Sequence, residues 1–183
     1  MTIHDTPGTY GAVSRLNHWI GALFVLLLLG IGLYFGDMPR GPEKTFWRAL
    51  HVAIGTVAIL FLLFRVGWRM RSTSPLELPQ KPALQRLSRV VHVLILAAIV
   101  TMVISGPLIQ WTGGRPFGIF DWVKFPSPLA KSDIWHERLE VLHGWAAWVL
   151  IGLVGLHLVG VIKHQFIDRD NILARMAGRA KGG

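Results

Sequence analysis

The stretch Val141-Leu-His143-Gly-Trp-Ala-Ala-Trp-Val-Leu-Ile-Gly-Leu-Val-Gly-Leu-His157-Leu-Val-Gly-Val-Ile162 holds no Asp, Glu, Lys or Arg, yet it contains two histidines fourteen residues apart. Its 22 residues are enough to cross a hydrocarbon core, which takes about 20. On a helix, fourteen steps advance about 21 Å and return to within about 40° of the starting face. The two imidazoles therefore point the same way, one toward each side of a bilayer. Coordinating side chains at membrane depth are costly and rare, so a functional role is the default reading. Two metal centres stacked across the membrane are its natural form.

Three further stretches reach spanning length, at residues 16–35, 46–64 and 90–109, giving with 141–162 four expected spans in 183 residues. With 52% hydrophobic residues, a mean hydropathy of +0.46 and eight Trp, the chain is expected to be all-α, an integral membrane four-helix bundle forming a single domain over residues 1–183. The first span reads as retained and not as a removable signal peptide: its apolar run is long, His18 sits at its start, and no small-residue cleavage site precedes Asp37.

A formal charge of +9 raises nucleic acid as a partner, but the cations lie in membrane-flanking segments, which points to lipid instead. With the N-terminus in the cytoplasm, the inner segments hold twelve basic and four acidic residues and the outer ones seven and six. This asymmetry places both termini in the cytoplasm of a bacterial inner membrane. The inner connector, Arg71-Ser-Thr-Ser-Pro-Leu-Glu-Leu-Pro-Gln-Lys-Pro82, is broken by proline. The outer segment, residues 110–136, mixes Gly and Pro with Trp111, Phe117, Phe120, Trp122 and Phe125, and is expected to lie on the membrane surface as a lid. The basic tail after Asn171 is expected on anionic headgroups.

The absence of cysteine excludes disulfides, thiolate-held iron–sulfur clusters and covalent haem attachment through Cys-x-x-Cys-His, so any cofactor is held by histidine. Sorted by depth, the outer layer offers His51 with His143. The inner layer offers His157 with either His18 or His92. A mononuclear zinc site asks for three or four ligands, which neither layer supplies, whereas bis-histidine pairs suit b-type haem. Gly21, Gly55 and Gly160 follow His18, His51 and His157 by three or four residues, where a missing side chain would let a flat macrocycle approach. His92 stays open between spare ligand, propionate or quinone contact, and packing residue.

The motifs Arg15-Leu-Asn-His18-Trp19, Leu50-His51-Val52, His92, His143 with Gly155-Leu-His157, then His164 and Asp170-Asn171, make the chain resemble the bacterial cytochrome b561 proteins over nearly its whole length. These are four-helix membrane cytochromes with two haems, and they include a superoxide:ubiquinone oxidoreductase. The resemblance implies two haem b between the helices, His18 and His157 on the inner iron, His51 and His143 on the outer one, and His164 at a quinone site. It implies an oxidoreductase that takes electrons from superoxide outside and gives them to ubiquinone. Arg48, Arg115, Lys124, Lys131 and Arg138 are then candidates for steering the superoxide anion. The alternative is a cytochrome b subunit that passes electrons between quinone and a partner dehydrogenase or hydrogenase.

Overall fold

A computed structural model describes residues 3–6, 9–72 and 80–178. Most of the proline-broken connector, residues 73–79, and the last five residues of the basic tail lie outside the described residues. Four long helices dominate: α1 (Ala12–Gly36), α2 (Pro42–Arg71), α3 (Pro82–Thr112) and α4 (Asp133–Ile162). Each contains one of the expected spans and overruns it. At 25 to 31 residues they run roughly 38–47 Å, longer than the roughly 30 Å hydrocarbon core.

Local chemistry sets their ends. Pro42 and Pro82 occupy first-turn positions, where a missing N–H costs nothing. Ser132 caps α4 by accepting from the Trp135 amide at 3.4 Å. Pro107 lies inside α3, which continues through it with one ladder hydrogen bond fewer.

The bundle is two hairpins side by side. α1 packs along α2 and α3 along α4, with α2 and α3 in contact, whereas close backbone approach between α4 and either α1 or α2 is nearly absent. The buried core is a layer at mid-height: Val25, Leu29, Ala58, Leu62, Ala98, Ile99, Val103 and Leu150. Large apolar side chains cover the outside instead, Leu60 at 79% exposure among them. Helices apolar on all sides belong in lipid, and these four are long and apolar enough to cross a membrane.

Both described ends of the chain lie at one end of the bundle, the termini end. There Trp19 donates through Nε1 to the Met176 carbonyl at 3.1 Å, and Trp68 donates to the Ser14 hydroxyl at 2.8 Å. A π-helical turn (Lys163–Asp168) continues α4, and the start of the basic tail forms a short helix, α5 (Ile172–Ala177).

At the opposite, hairpin end, the segment after α3 departs from the expected surface loop. Strands β1 (Phe117–Ile119) and β2 (Val123–Phe125) pair antiparallel, and β1 lies against α2. The Thr56 hydroxyl donates to the Gly118 carbonyl at 3.0 Å. Thr56 is five residues further along α2 than His51, about 7.5 Å, so the ribbon descends beside the helix. Gly118 is required by the pairing: a Cβ there would meet the Val123 carbonyl oxygen at 1.9 Å.

Candidate functional site

The open side between α4 and the α1–α2 pair is bridged by imidazoles at two levels. Toward the hairpin end, His51 of α2 and His143 of α4 face each other with ring centroids 6.3 Å apart. Toward the termini end, His18 of α1 and His157 of α4 also stand 6.3 Å apart. An imidazole nitrogen binds a first-row metal ion at about 2.0–2.1 Å and lies about 1.1 Å from its ring centre, so two rings opposed across one ion have centroids about 6.3 Å apart. His92 of α3 approaches His157 at 5.2 Å, too close for an ion held in line between them. Leu150, 2% exposed, sits seven residues from each α4 histidine and separates the two tiers.

A buried hydroxyl stands beside one nitrogen of His143. The fully buried Ser105 hydroxyl donates its single proton to the Thr101 carbonyl at 2.7 Å, and the same oxygen lies 2.7 Å from His143 Nδ1. With its one proton given to that carbonyl, the hydroxyl accepts from Nδ1–H, and this is the tautomer that leaves the Nε2 lone pair to a metal; given to Nδ1 instead, it would put the imidazole proton on Nε2. Across the tier, His51 Nδ1 is buried against α1, within reach of the Leu28 backbone and 3.7 Å from where a Cβ at Gly32 would lie, and Phe35 sets the ring edge-on at 5.6 Å.

The termini-end tier is built differently. Arg65 Nη2 lies 3.3 Å from His18 Nδ1, and its Nη1 donates to the Asn17 carbonyl at 2.9 Å; a guanidinium only donates, so toward a His18 that holds a metal through Nε2 and carries its proton on Nδ1 it acts by charge alone. Gly21, expected to clear a macrocycle, makes room for this arginine: a Cβ there would come within 2.7 Å of Arg65 Cδ. A Cβ at Gly160 would meet nothing within 4 Å, and one at Gly55 only Leu28 at 4.0 Å. Sequence reasoning missed both Ser105 and Arg65 as partners of the tiers.

His164 lies on the π-helical turn. Its Nδ1 is 2.5 Å from Asp170 Oδ2 and 3.3 Å from Asp168 Oδ2. Left-handed conformations at Arg169 and Asn171 (φ 55° and 56°) fold the chain back so that the Asp170 amide also donates to the His164 carbonyl at 3.2 Å. Lys163 already pairs with Asp168, which leaves Asp170 as the carboxylate given over to the histidine. Among the histidines outside the tiers, His4 stacks on Trp68 at 5.9 Å, and His136 donates to the Ile109 carbonyl near the end of α3 at 2.9 Å.

The five cations proposed for steering separate into two groups. Lys124 pairs with Asp121 at 2.6 Å, Lys131 with Asp133 at 3.1 Å, and Arg138 lies 5.4 Å over the Trp135 ring. The Lys124 hydrogen bond and charge hold the Asp121 carboxyl below its usual value, so that pair stays ionised. Arg48 and Arg115 have no ion pair among the described residues. Arg115 donates through Nε to Gln110 Oε1 at 3.2 Å, and burial first, then the neighbouring Arg48, lowers its pKa from the ordinary value while Glu140 opposes the shift. A shallow, open apolar groove lined by Leu26, Leu27, Gly30, Ile31, Tyr34 and Trp47 is bordered by none of the histidines.

Residues 9–179 match the family model described as prokaryotic cytochrome b561. The chain belongs to that family. It is 33% identical to "Cytochrome b561 homolog 2" of Escherichia coli (strain K12), over 98% of this chain and 97% of that protein. It is 23% identical to "Probable superoxide oxidase CybB" of Yersinia pestis, over 94% and 98%. A third similarity, 27% identity to a putative dimethyl sulfoxide reductase membrane subunit of Halobacterium salinarum, spans 78% of this chain and 32% of that protein. This is a membrane protein of an electron-transfer family that binds haem b. The paired imidazoles and the open side between the helices fit such a group.

Proposed function

We propose that this protein is a di-haem cytochrome b of the bacterial inner membrane, with both termini in the cytoplasm, that oxidises superoxide at the periplasmic face and reduces ubiquinone near the cytoplasmic face. The observation that carries the reading is the pair of tiers, each with imidazoles 6.3 Å apart, joined by a single helix. His51 and His143 would hold one haem and His18 and His157 the other. A haem b held by two histidines would supply a one-electron carrier. Two superoxide anions lose one electron each and leave as dioxygen, and ubiquinone takes two electrons and two protons to become ubiquinol.

The chain's own groups supply the rest. Arg48 and Arg115, without carboxylate partners among the described residues, draw a small anion toward the hairpin end. Ser105 keeps the His143 proton on Nδ1. In its imidazolium form, His164 directs Nδ1–H at Asp170 and has Nε2–H to donate to a quinone carbonyl and to deliver as a proton, which is then replaced from the cytoplasmic side. His92, off the metal line, borders the same end. Support for superoxide as donor comes from the relative named a probable superoxide oxidase.

The similarity to a reductase membrane subunit favours the second reading, a cytochrome b subunit serving a partner redox enzyme, with the ribbon as docking surface. Purified protein given an enzymatic superoxide source and a short-chain ubiquinone, with no partner present, separates the two. Superoxide-dependent ubiquinol formation is expected. A protein carrying two haems yet inert in this assay refutes the oxidase and leaves the second reading.

A further inference from the structure

The two tiers stand in unequal electric surroundings. At the hairpin-end tier, His143 Nδ1 meets a neutral hydroxyl, Ser105, at 2.7 Å. At the termini-end tier, the guanidinium of Arg65 stands 3.3 Å from His18 Nδ1 and lies within electrostatic range of His157 and His92 as well. Arg69, one turn further along α2, adds a second cation within range of His92. Among the described residues, no carboxylate lies within ion-pair distance of Arg65. The position is built for this side chain: Gly21 leaves the gap its stem fills, and the Asn17 carbonyl accepts from Nη1. An arginine stays charged at every physiological pH, and salt screens a partly buried charge poorly.

We propose that Arg65 makes the termini-end centre the electron sink of the pair, so that an electron entering at the hairpin end runs downhill toward the quinone side. An iron that gains an electron loses one unit of positive charge, and a fixed cation nearby favours that less positive state. Charge near the site and hydrogen bonding around the ligands are among a protein's main means of setting a haem potential. The proposal rests on the two-haem reading, with His18 and His157 as one ligand pair. Arg65 acts through its field as a positioning residue for electrons, touching no substrate.

The test is a potentiometric titration of purified, haem-loaded protein followed by absorbance, with the haem-to-protein ratio measured on the same samples. Two one-electron steps are expected, and His143→Ala should retain the higher one. Arg65→Gln should lower that step by at least tenfold in the reduced-to-oxidised ratio, where each tenfold is about 59 mV for one electron, and leave the other step in place. Arg65→Lys, which keeps the charge, should restore most of it. Gly21→Ala, which crowds the Arg65 stem and keeps the arginine, should lower the same step by less, and it carries the measurement if Arg65→Gln does not load. The proposal is overturned if the higher step does not move in Arg65→Gln or Gly21→Ala, if Arg65→Lys falls as far as Arg65→Gln, or if His143→Ala retains the lower step. Fewer than two haems in the wild-type protein would instead defeat the two-haem reading, which separates the two failures.

Discussion

Replacing Ser105 with alanine should loosen one haem and leave the other. The hydroxyl makes two contacts of 2.7 Å, one to the Thr101 carbonyl and one to His143 Nδ1. The first is local to α3, where the carbonyl keeps its helical environment. The second is the hydrogen bond that holds the His143 proton, and Ser105 is 1% exposed, so water does not replace it. Leaving a buried N–H unpaired costs about 1–3 kcal/mol. At about 1.4 kcal/mol per factor of ten, that is roughly 5- to 150-fold in affinity, in line with the roughly 10- to 100-fold typical of removing a ligand's outer partner. The lost hydrogen bond also makes the imidazole less electron-rich, so the midpoint potential of that centre should rise. The assay is haem transfer from loaded protein to an excess of a high-affinity apo-haemoprotein. Ser105→Ala should release one equivalent at least tenfold faster than wild type and hold the second normally, and Ser105→Thr should restore retention. Unchanged release, or equal acceleration of both equivalents, would refute the assignment of Ser105 to the His143 tier.

His51→Ala and His143→Ala should each yield protein with one haem of the two, measured as the ratio of pyridine-complexed haem to polypeptide; loss of both or of neither would break the tier model. His92→Ala should keep both haems, because a 5.2 Å ring separation from His157 leaves no room for a metal in line. Arg48→Gln with Arg115→Gln should lower the second-order rate of haem reduction by superoxide several-fold and flatten its dependence on salt, whereas Lys124→Gln, whose charge Asp121 already offsets, should do neither. Equal effects from both would show that general surface charge, and no local pair, draws the anion.

Four membrane-length helices are legible in the sequence because apolar runs of about 20 residues have no other stable home. The facing of the histidines is legible because a helix turns by a fixed angle, so the spacing of His143 and His157 maps onto one side of α4. The same arithmetic reaches Arg65, which follows His51 by the same fourteen residues on α2, but in a basic chain an arginine near a helix end reads first as a topology signal. Ser105 is not legible: one small polar residue in an apolar helix is ordinary, and its partner is 38 residues away. The ribbon is hidden for a related reason. Its strands are three residues each, too short for alternation to show, and they are held by Thr56 and Trp111 from other elements. Gly21 shows a further limit, since spacing reveals that a gap exists and leaves open which side chain fills it.

Leu150 and the aliphatic residues around it form a slab that holds no ionisable side chain among the described core residues. Electrons tunnel through saturated hydrocarbon, but a hydrated proton has nothing there to hop along. With a haem in each tier, the molecule would be a wire for one carrier and an insulator for the other. Protons joining the quinone have to come from the near compartment, so each turnover under the proposed reaction moves negative charge inward without a compensating ion and adds to the voltage across the membrane.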